Sequence, residues 1–379
     1  MSDTIEPFHL DIPQSALDDL HQRLARTRWP EREAVGDDSQ GVKLNDAQAL
    51  CSYWRDHYDW RRCEAMLNSF GQFRTELDGL GIHFLHHRSP EPGALPLIMT
   101  HGWPGSVVEF HKVIGPLTNP AAHGGDSKDA FHVVAPSLPG YGFSDRPAAR
   151  GWSVGRIAQA WIALMRRLGY TRFVAQGGDW GAAVTTTIGR SGAAEIAAIH
   201  LNMVIAPPSP EDRAELTDTE KTALADLKRF TTEGRGYAAM QSTRPQTLGY
   251  GLTDSAAGQA AWIFEKYAAW ADCGGDPTSV LSYDEMLDNI MLYWLPATAA
   301  SSARLYWESL HDFAAGPVNI PVACSIFPRE IMRPSRRWAE RKFSQLIHWG
   351  TPAKGGHFAA FEQPELFVDE LRSAFRSIR

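Results

Sequence analysis

Basic charge is scarce in this 379-residue chain. Lys and Arg number 37 against 44 Asp and Glu, a formal net charge of −7. No run of Lys and Arg forms a patch that could track phosphates, so nucleic acid is not expected as a partner. Long apolar runs are missing too. None approaches the roughly 20 residues that span a bilayer. The opening MSDTIEPFHL lacks the basic segment and apolar run of a signal peptide. Cysteine is rare: Cys51, Cys63, Cys273 and Cys324 form no CxxC pair. They read as buried thiols in a reducing compartment, and a cytoplasmic protein is expected. His83, His86 and His87 crowd one strand-like segment, HFLHH, without a matching carboxylate cluster. Neither a metal site nor a cofactor is therefore expected. Internal repeats are not found.

What remains is ordinary for a soluble globular protein: 44% apolar and 21% charged residues. Tryptophan is the exception, with 13 copies, enough for core packing and an apolar pocket. The length fits two or three domains, or one large domain with insertions.

The chain reads as three regions. Residues 1–90 are mainly helical, with helices expected over QSALDDLHQRLARTRWP, from Asp46 to Tyr58 and from Arg61 to Phe70. Short strands near 72–77 and 81–87 lead out. Residues 91–205 alternate strand and helix: LPLIMT (95–100), FHVVAPS (131–137), a periodic helix over 154–169, and RFVAQ (172–176). That alternation implies an α/β fold, a mainly parallel sheet covered on both faces. Residues 206–315 break the pattern and read mainly as helix, an insertion that would form a lid. The alternation resumes over 316–379, with a strand at 322–328, a helix near 335–343, a strand near 345–349 and a closing helix from Pro364.

Two motifs fall at expected carboxyl ends of strands, where open α/β sheets bind ligands. One is HGWPGS; the other is Gly177-Gly178-Asp179-Trp180-Gly181. The second matches the strand–turn–helix pattern Gly-x-Ser-x-Gly, with aspartate in place of serine. Such a turn is crowded and demands small residues two before and two after its centre, which Gly177 and Gly181 satisfy. A serine there needs a base; an ionised aspartate does not. It can attack an alkyl carbon directly and form an ester on the protein. The substrate must then carry its own leaving group, such as an epoxide oxygen or a halide. An N-capping aspartate is the plainer alternative. An ordinary serine esterase is excluded at this turn.

Such an ester must be hydrolysed. His357, in KGGHFAAFEQPE, lies in a glycine-rich loop between the last expected strand and helix. That is the place for a general base, in the chain order nucleophile, acid, histidine. Glu330, at the exit of SIFPREI, is the candidate acid that would orient it. The other common acid position holds Asn202, which cannot serve. The backbone N–H groups of Trp103 and Trp180 are candidates to meet the oxyanion. The Trp103-Pro104 bond is a candidate for the cis form.

These residues together resemble the microsomal-type epoxide hydrolases of the α/β-hydrolase superfamily. The likeness spans nearly the whole chain, from FHLDIPQSALDDLHQRLARTRWP and YWRDHYDWR through PSLPGYGFSD and QSTRPQTLGYGLTDS to MLYWLPATAASSARLYWESL and GGHFAAFEQPELF. It implies an α/β-hydrolase fold with an N-terminal segment (1–90) wrapped around the core (91–205 and 316–379) and a helical cap (206–315). It implies Asp179 as nucleophile, His357 as base and Glu330 as its partner. Two cap tyrosines, matched by Tyr237 and Tyr306, would protonate the epoxide oxygen. From sequence alone Tyr250, Tyr267, Tyr283 and Tyr293 stay open as rivals. The mammalian microsomal members carry an N-terminal membrane anchor; this chain begins almost at the matching helix, so a soluble protein is expected. A homodimer would fit the family. The expected partner is a small hydrophobic epoxide, met in detoxification or secondary metabolism. Haloalkane dehalogenases use the same kind of aspartate and often Asp-Trp-Gly, so they are the main rival. A non-catalytic binder of a hydrophobic ligand is the second.

Overall fold

The computed structural model describes residues 4–311 and 316–379. Their strands are β1 (Ile5–Phe8), β2 (Gln72–Leu77), β3 (Leu80–His87), β4 (Leu95–Thr100), β5 (Phe131–Pro136), β6 (Phe173–Gly177), β7 (Ile196–Leu201), β8 (Val318–Ser325) and β9 (Phe343–Gly350). They form one nine-stranded sheet in the order β1-β2-β3-β5-β4-β6-β7-β8-β9. The edge from β1 to β3 is antiparallel, and β3 pairs antiparallel with β5; every pairing from β5 to β9 is parallel. The central strands are apolar on both faces, as a sheet covered by helices on each side requires. One such cover is the helix Val154–Arg167, which buries Ile157, Ala158, Trp161, Leu164 and Met165. That spacing is the stripe its sequence shows.

The strand order places the site. From β4 the chain moves to β5 on one side and then to β6 on the other, so β4 and β6 flank the point where the winding reverses. Ligands gather outside the carboxyl ends at such a point. Thr100 pairs with Gly177, so the loop after β4 and the turn after β6 start at one level.

Between β7 and β8 the chain forms helices that include Gly236–Thr243, Pro245–Asp254, Ala256–Trp270, Tyr283–Trp294 and Ala299–Ser309. Residue 315, the expected end of the cap, lies outside the described residues. The N-terminal helices Gln14–Ala25, Leu44–Asp56 and Trp60–Ser69 pack beside this insertion. Their link is chemical as well: Tyr58 Oη donates to Asp288 Oδ1 at 2.8 Å, and Arg62 pairs with the same carboxylate at 2.7 Å.

The structure corrects two expectations of detail. IEPF forms β1 although its proline and shortness gave no strand signal; it is an edge strand, where a missing N–H is tolerated. The strand expected at 322–328 runs instead from Val318 to Ser325. Pro321 hid its first half. The proline sits at a register shift against β9, where the ladder asks less of it.

Candidate active site

The turn after β6 is tight for a visible reason. A methyl at Gly177 would lie 2.0 Å from the carbonyl oxygen of Gly181, and one at Gly181 would lie 1.8 Å from that of Thr100. Neither position admits a side chain. Asp179, between them, takes φ +49°, the left-handed region that non-glycine residues visit at a cost of about 1–2 kcal/mol. Such strain is kept where the surroundings impose it, commonly at functional sites. The helix Asp179–Arg190 starts there, with Trp180 in its first turn.

The loop after β4 meets this aspartate. Trp103 N–H donates to Asp179 Oδ1 at 2.8 Å, and the Trp103–Pro104 bond is cis. Gly102 makes the approach feasible, since a methyl there would lie 2.2 Å from Asp179 Oδ1. On its other side, Asp179 Oδ2 lies 3.5 Å from His357 Nε2. His357 Nδ1 meets Glu330 Oε1 at 2.8 Å, and the Ile331 N–H donates to that same oxygen at 2.6 Å. The side chains of His357 and Glu330 are 3% and 0% exposed. Burial works against an imidazolium there. The Glu330 and Asp179 charges more than offset it, so the His357 pKa is raised well above the ordinary value.

The two cap tyrosines converge on the same place. Tyr237 stacks on Trp103 with centroids 5.0 Å apart, and Tyr306 meets the edge of Trp180 at 4.8 Å. The two phenols are 5.8 Å apart. Burial raises both phenol pKa values, with Asp179 adding to the shift, so both stay protonated donors. Three of the four rivals are exposed, packed elsewhere or already engaged. Tyr250 is 70% exposed, Tyr283 packs on Tyr53, and Tyr293 Oη donates to the carbonyl of Gly105. Tyr267 is buried against Phe358. His83 bonds Ser137 and Gln72, and the described residues hold no metal-binding cluster.

Sequence reasoning passed over several neighbours. Trp270 sits 5.1 Å from the His357 ring and 5.2 Å from Tyr237, and its carbonyl accepts from His357 N–H at 3.0 Å. Glu362 accepts from the N–H groups of Asp272, Gly356 and Phe358, which fixes the histidine loop. Burial raises its pKa to about 7. Lys266 Nζ is buried over the Tyr237 ring at 4.6 Å. Glu109 lines a cavity of about 20 Å³ with Asp179 and His357. No motif marked Trp270 or Lys266, which only the cap's packing brings in. Glu362 lies inside KGGHFAAFEQPE as an unassigned carboxylate, and Glu109 lies three residues past HGWPGS.

A family profile described as "Epoxide hydrolase N terminus" matches residues 5–110, and one described as "alpha/beta hydrolase fold" matches 96–292. A Stigmatella aurantiaca protein provisionally named an epoxide hydrolase is 58% identical over 99% of this chain and 86% of its own length. Epoxide hydrolase 1 of Sus scrofa is 35% identical over 98% and 88%.

The chain belongs to the microsomal-type epoxide hydrolase family.

Its fold agrees across the whole molecule. The solved Aspergillus niger epoxide hydrolase superposes with a TM-score of 0.89 at 32% identity, covering 99% of this chain and 97% of that one. Membership of the epoxide hydrolase family accounts for the N-terminal helices and the edge strands, both inside the first profile. No helix of the described residues is long and apolar enough to cross a membrane.

Proposed function

We propose that this protein hydrolyses a small hydrophobic epoxide to a vicinal diol through an alkyl ester on Asp179. One observation carries the reading: a carboxylate on a nucleophile's turn, held by a backbone N–H on one oxygen and facing a His–Glu pair with the other. Asp179 Oδ2 attacks an epoxide carbon while Tyr237 and Tyr306 donate to the ring oxygen. A strained ether leaves poorly unless its oxygen is protonated, and buried phenols can do that. The C–O bond breaks, and the oxygen becomes one hydroxyl of the diol. His357 then takes a proton from water, which adds to the ester carbon. Backbone N–H groups, Trp103 first among them, carry the resulting oxyanion, which collapses as the ester C–O bond breaks; His357 returns its proton to the departing alkoxide, and the proton left on the Asp179 carboxyl group restores the tyrosine. Glu330 holds the imidazole in one tautomer and stabilises its charged form. Four free cysteines fit a reducing compartment, and we place the protein in the cytoplasm.

The test is product analysis with styrene oxide and 1-chlorobutane as separate probes. Phenylethanediol from the first and no chloride from the second is the expected outcome. Chloride release without any diol would move the protein to the dehalogenases.

The tyrosines make a separate prediction. Tyr306→Phe should slow ester formation about 10- to 100-fold, and the double change with Tyr237→Phe should nearly stop it. Rapid-quench mass spectrometry reads that step directly. An unchanged rate in the double variant would remove the tyrosines from the scheme.

A further inference from the structure

The cavity beside Asp179 is too small for any epoxide. At about 20 Å³ it has room for a single water molecule. Neither Tyr237 nor Tyr306 lines it. Its walls include His357, Asp179, Glu109, Thr100 and Gln176. The last two contribute buried oxygens, Thr100 Oγ1 and Gln176 Oε1, that have no hydrogen-bond partner among the described residues. Orphaned polar atoms around a small cavity are the signature of a site for ordered water.

Glu109 is the one carboxyl group in that wall besides Asp179. It comes from the short turn Val107–Phe110, which Ser106 caps through the Val108 N–H. The sequence clears a space for it: a methyl at Gly105 would lie 1.5 Å from Glu109 Oε1. No hydrogen bond engages its carboxyl group among the described residues. Burial, opposed by His357 and reinforced by Asp179 and Glu362, raises its pKa to about 8. Near neutrality it is mostly the neutral acid, with a carbonyl oxygen free to accept.

We propose that Glu109 is a further catalytic residue of the ester-hydrolysis step, holding in this cavity the water that His357 deprotonates. The inference rests on the ester reading of Asp179. A water poised for attack needs one O–H on the base, a lone pair on the ester carbon and an acceptor for its second O–H. His357 Nε2 supplies the first and Glu109 the last. One proton passes to His357, the water oxygen bonds to Asp179 Cγ, and the ester C–O bond then breaks. The departing alkoxide recovers that proton from His357. Glu109 gains and loses nothing; it fixes the direction of attack, where a misplacement of about 1 Å costs roughly 10²-fold.

The test is single turnover with styrene oxide, following the adduct mass by rapid quench. In Glu109→Leu, ester formation should change by less than about 3-fold while ester decay slows roughly 30- to 100-fold. Glu109→Gln keeps a carbonyl acceptor and should recover most of the decay rate. Normal decay in Glu109→Leu would overturn the role, and so would an equal loss in both steps, which a merely structural residue would give. His357→Gln runs in parallel: an ester there with normal decay in Glu109→Leu sinks this proposal alone, whereas no ester in either variant sinks the ester reading as well.

Discussion

Asp179→Ala should form no covalent adduct with any epoxide and should lose at least roughly 10⁴-fold in turnover, the scale seen when a nucleophile is removed from a hydrolytic site. Gly177 and Gly181 are forced by contacts of about 2 Å with backbone oxygens, so the chain keeps this geometry whatever sits between them. The aspartate is held at φ +49° and aimed at His357 across 3.5 Å. A plain N-cap needs none of this, since capping residues take extended backbone angles. Alanine tolerates a left-handed φ poorly, so a fold defect could imitate a chemical one. Asp179→Asn removes the charge, and asparagine accepts that φ more readily. Asp179→Asn should retain a wild-type melting profile to within a few degrees, and both variants should lack the adduct. Substantial turnover in either would mean that water, not Asp179, attacks the ring.

How legible was this site in advance? The residues on the strand ends were readable because each follows a short apolar run with a fixed exit. Asp179 after RFVAQ, Glu330 after SIF and the HGWPGS loop after LPLIMT follow from strand polarity alone. Their meeting does not: it needs the strand order, which sets β4 beside β6 and β8 two strands further on. The cap was different. Its helices are identifiable by pattern, but which face meets the sheet depends on contacts between distant segments. Tyr237 and Tyr306 could be told from their four rivals by resemblance only, until Trp103 and Trp180 were placed beneath them. Glu109 shows the limit most clearly. It lies four residues past Gly105, and its carboxyl group sits in the space that glycine leaves open. Pro321 misled in the other direction, since a proline at a register shift costs a strand less than a proline in a regular ladder.

His357→Gln should trap what Asp179→Ala abolishes. Ester formation needs the Asp179 carboxylate and a proton for the ring oxygen, and the tyrosines can supply the proton without the imidazole. Hydrolysis needs a base, worth roughly 10²–10⁴-fold. The variant should therefore gain the full mass of styrene oxide on the peptide holding Asp179 and release diol slowly. With 1-chlorobutane, a gain equal to the substrate less hydrogen chloride would point to dehalogenation instead. The wild-type protein adds a pH signature. Before reaction, burial disfavours the His357 imidazolium, but Glu330 first and Asp179 second hold its pKa well above the ordinary value. Esterification removes the Asp179 charge and with it part of that support, so the pKa must fall. A falling pKa deprotonates His357 at the moment a base is required. The rate of ester decay should thus rise with pH and reach half its limit below the pH at which His357 titrates in the free protein. Stopped-flow decay and imidazole NMR provide the two midpoints. A decay midpoint at or above the NMR value would mean that the group carrying the ester is not the charge that His357 faces.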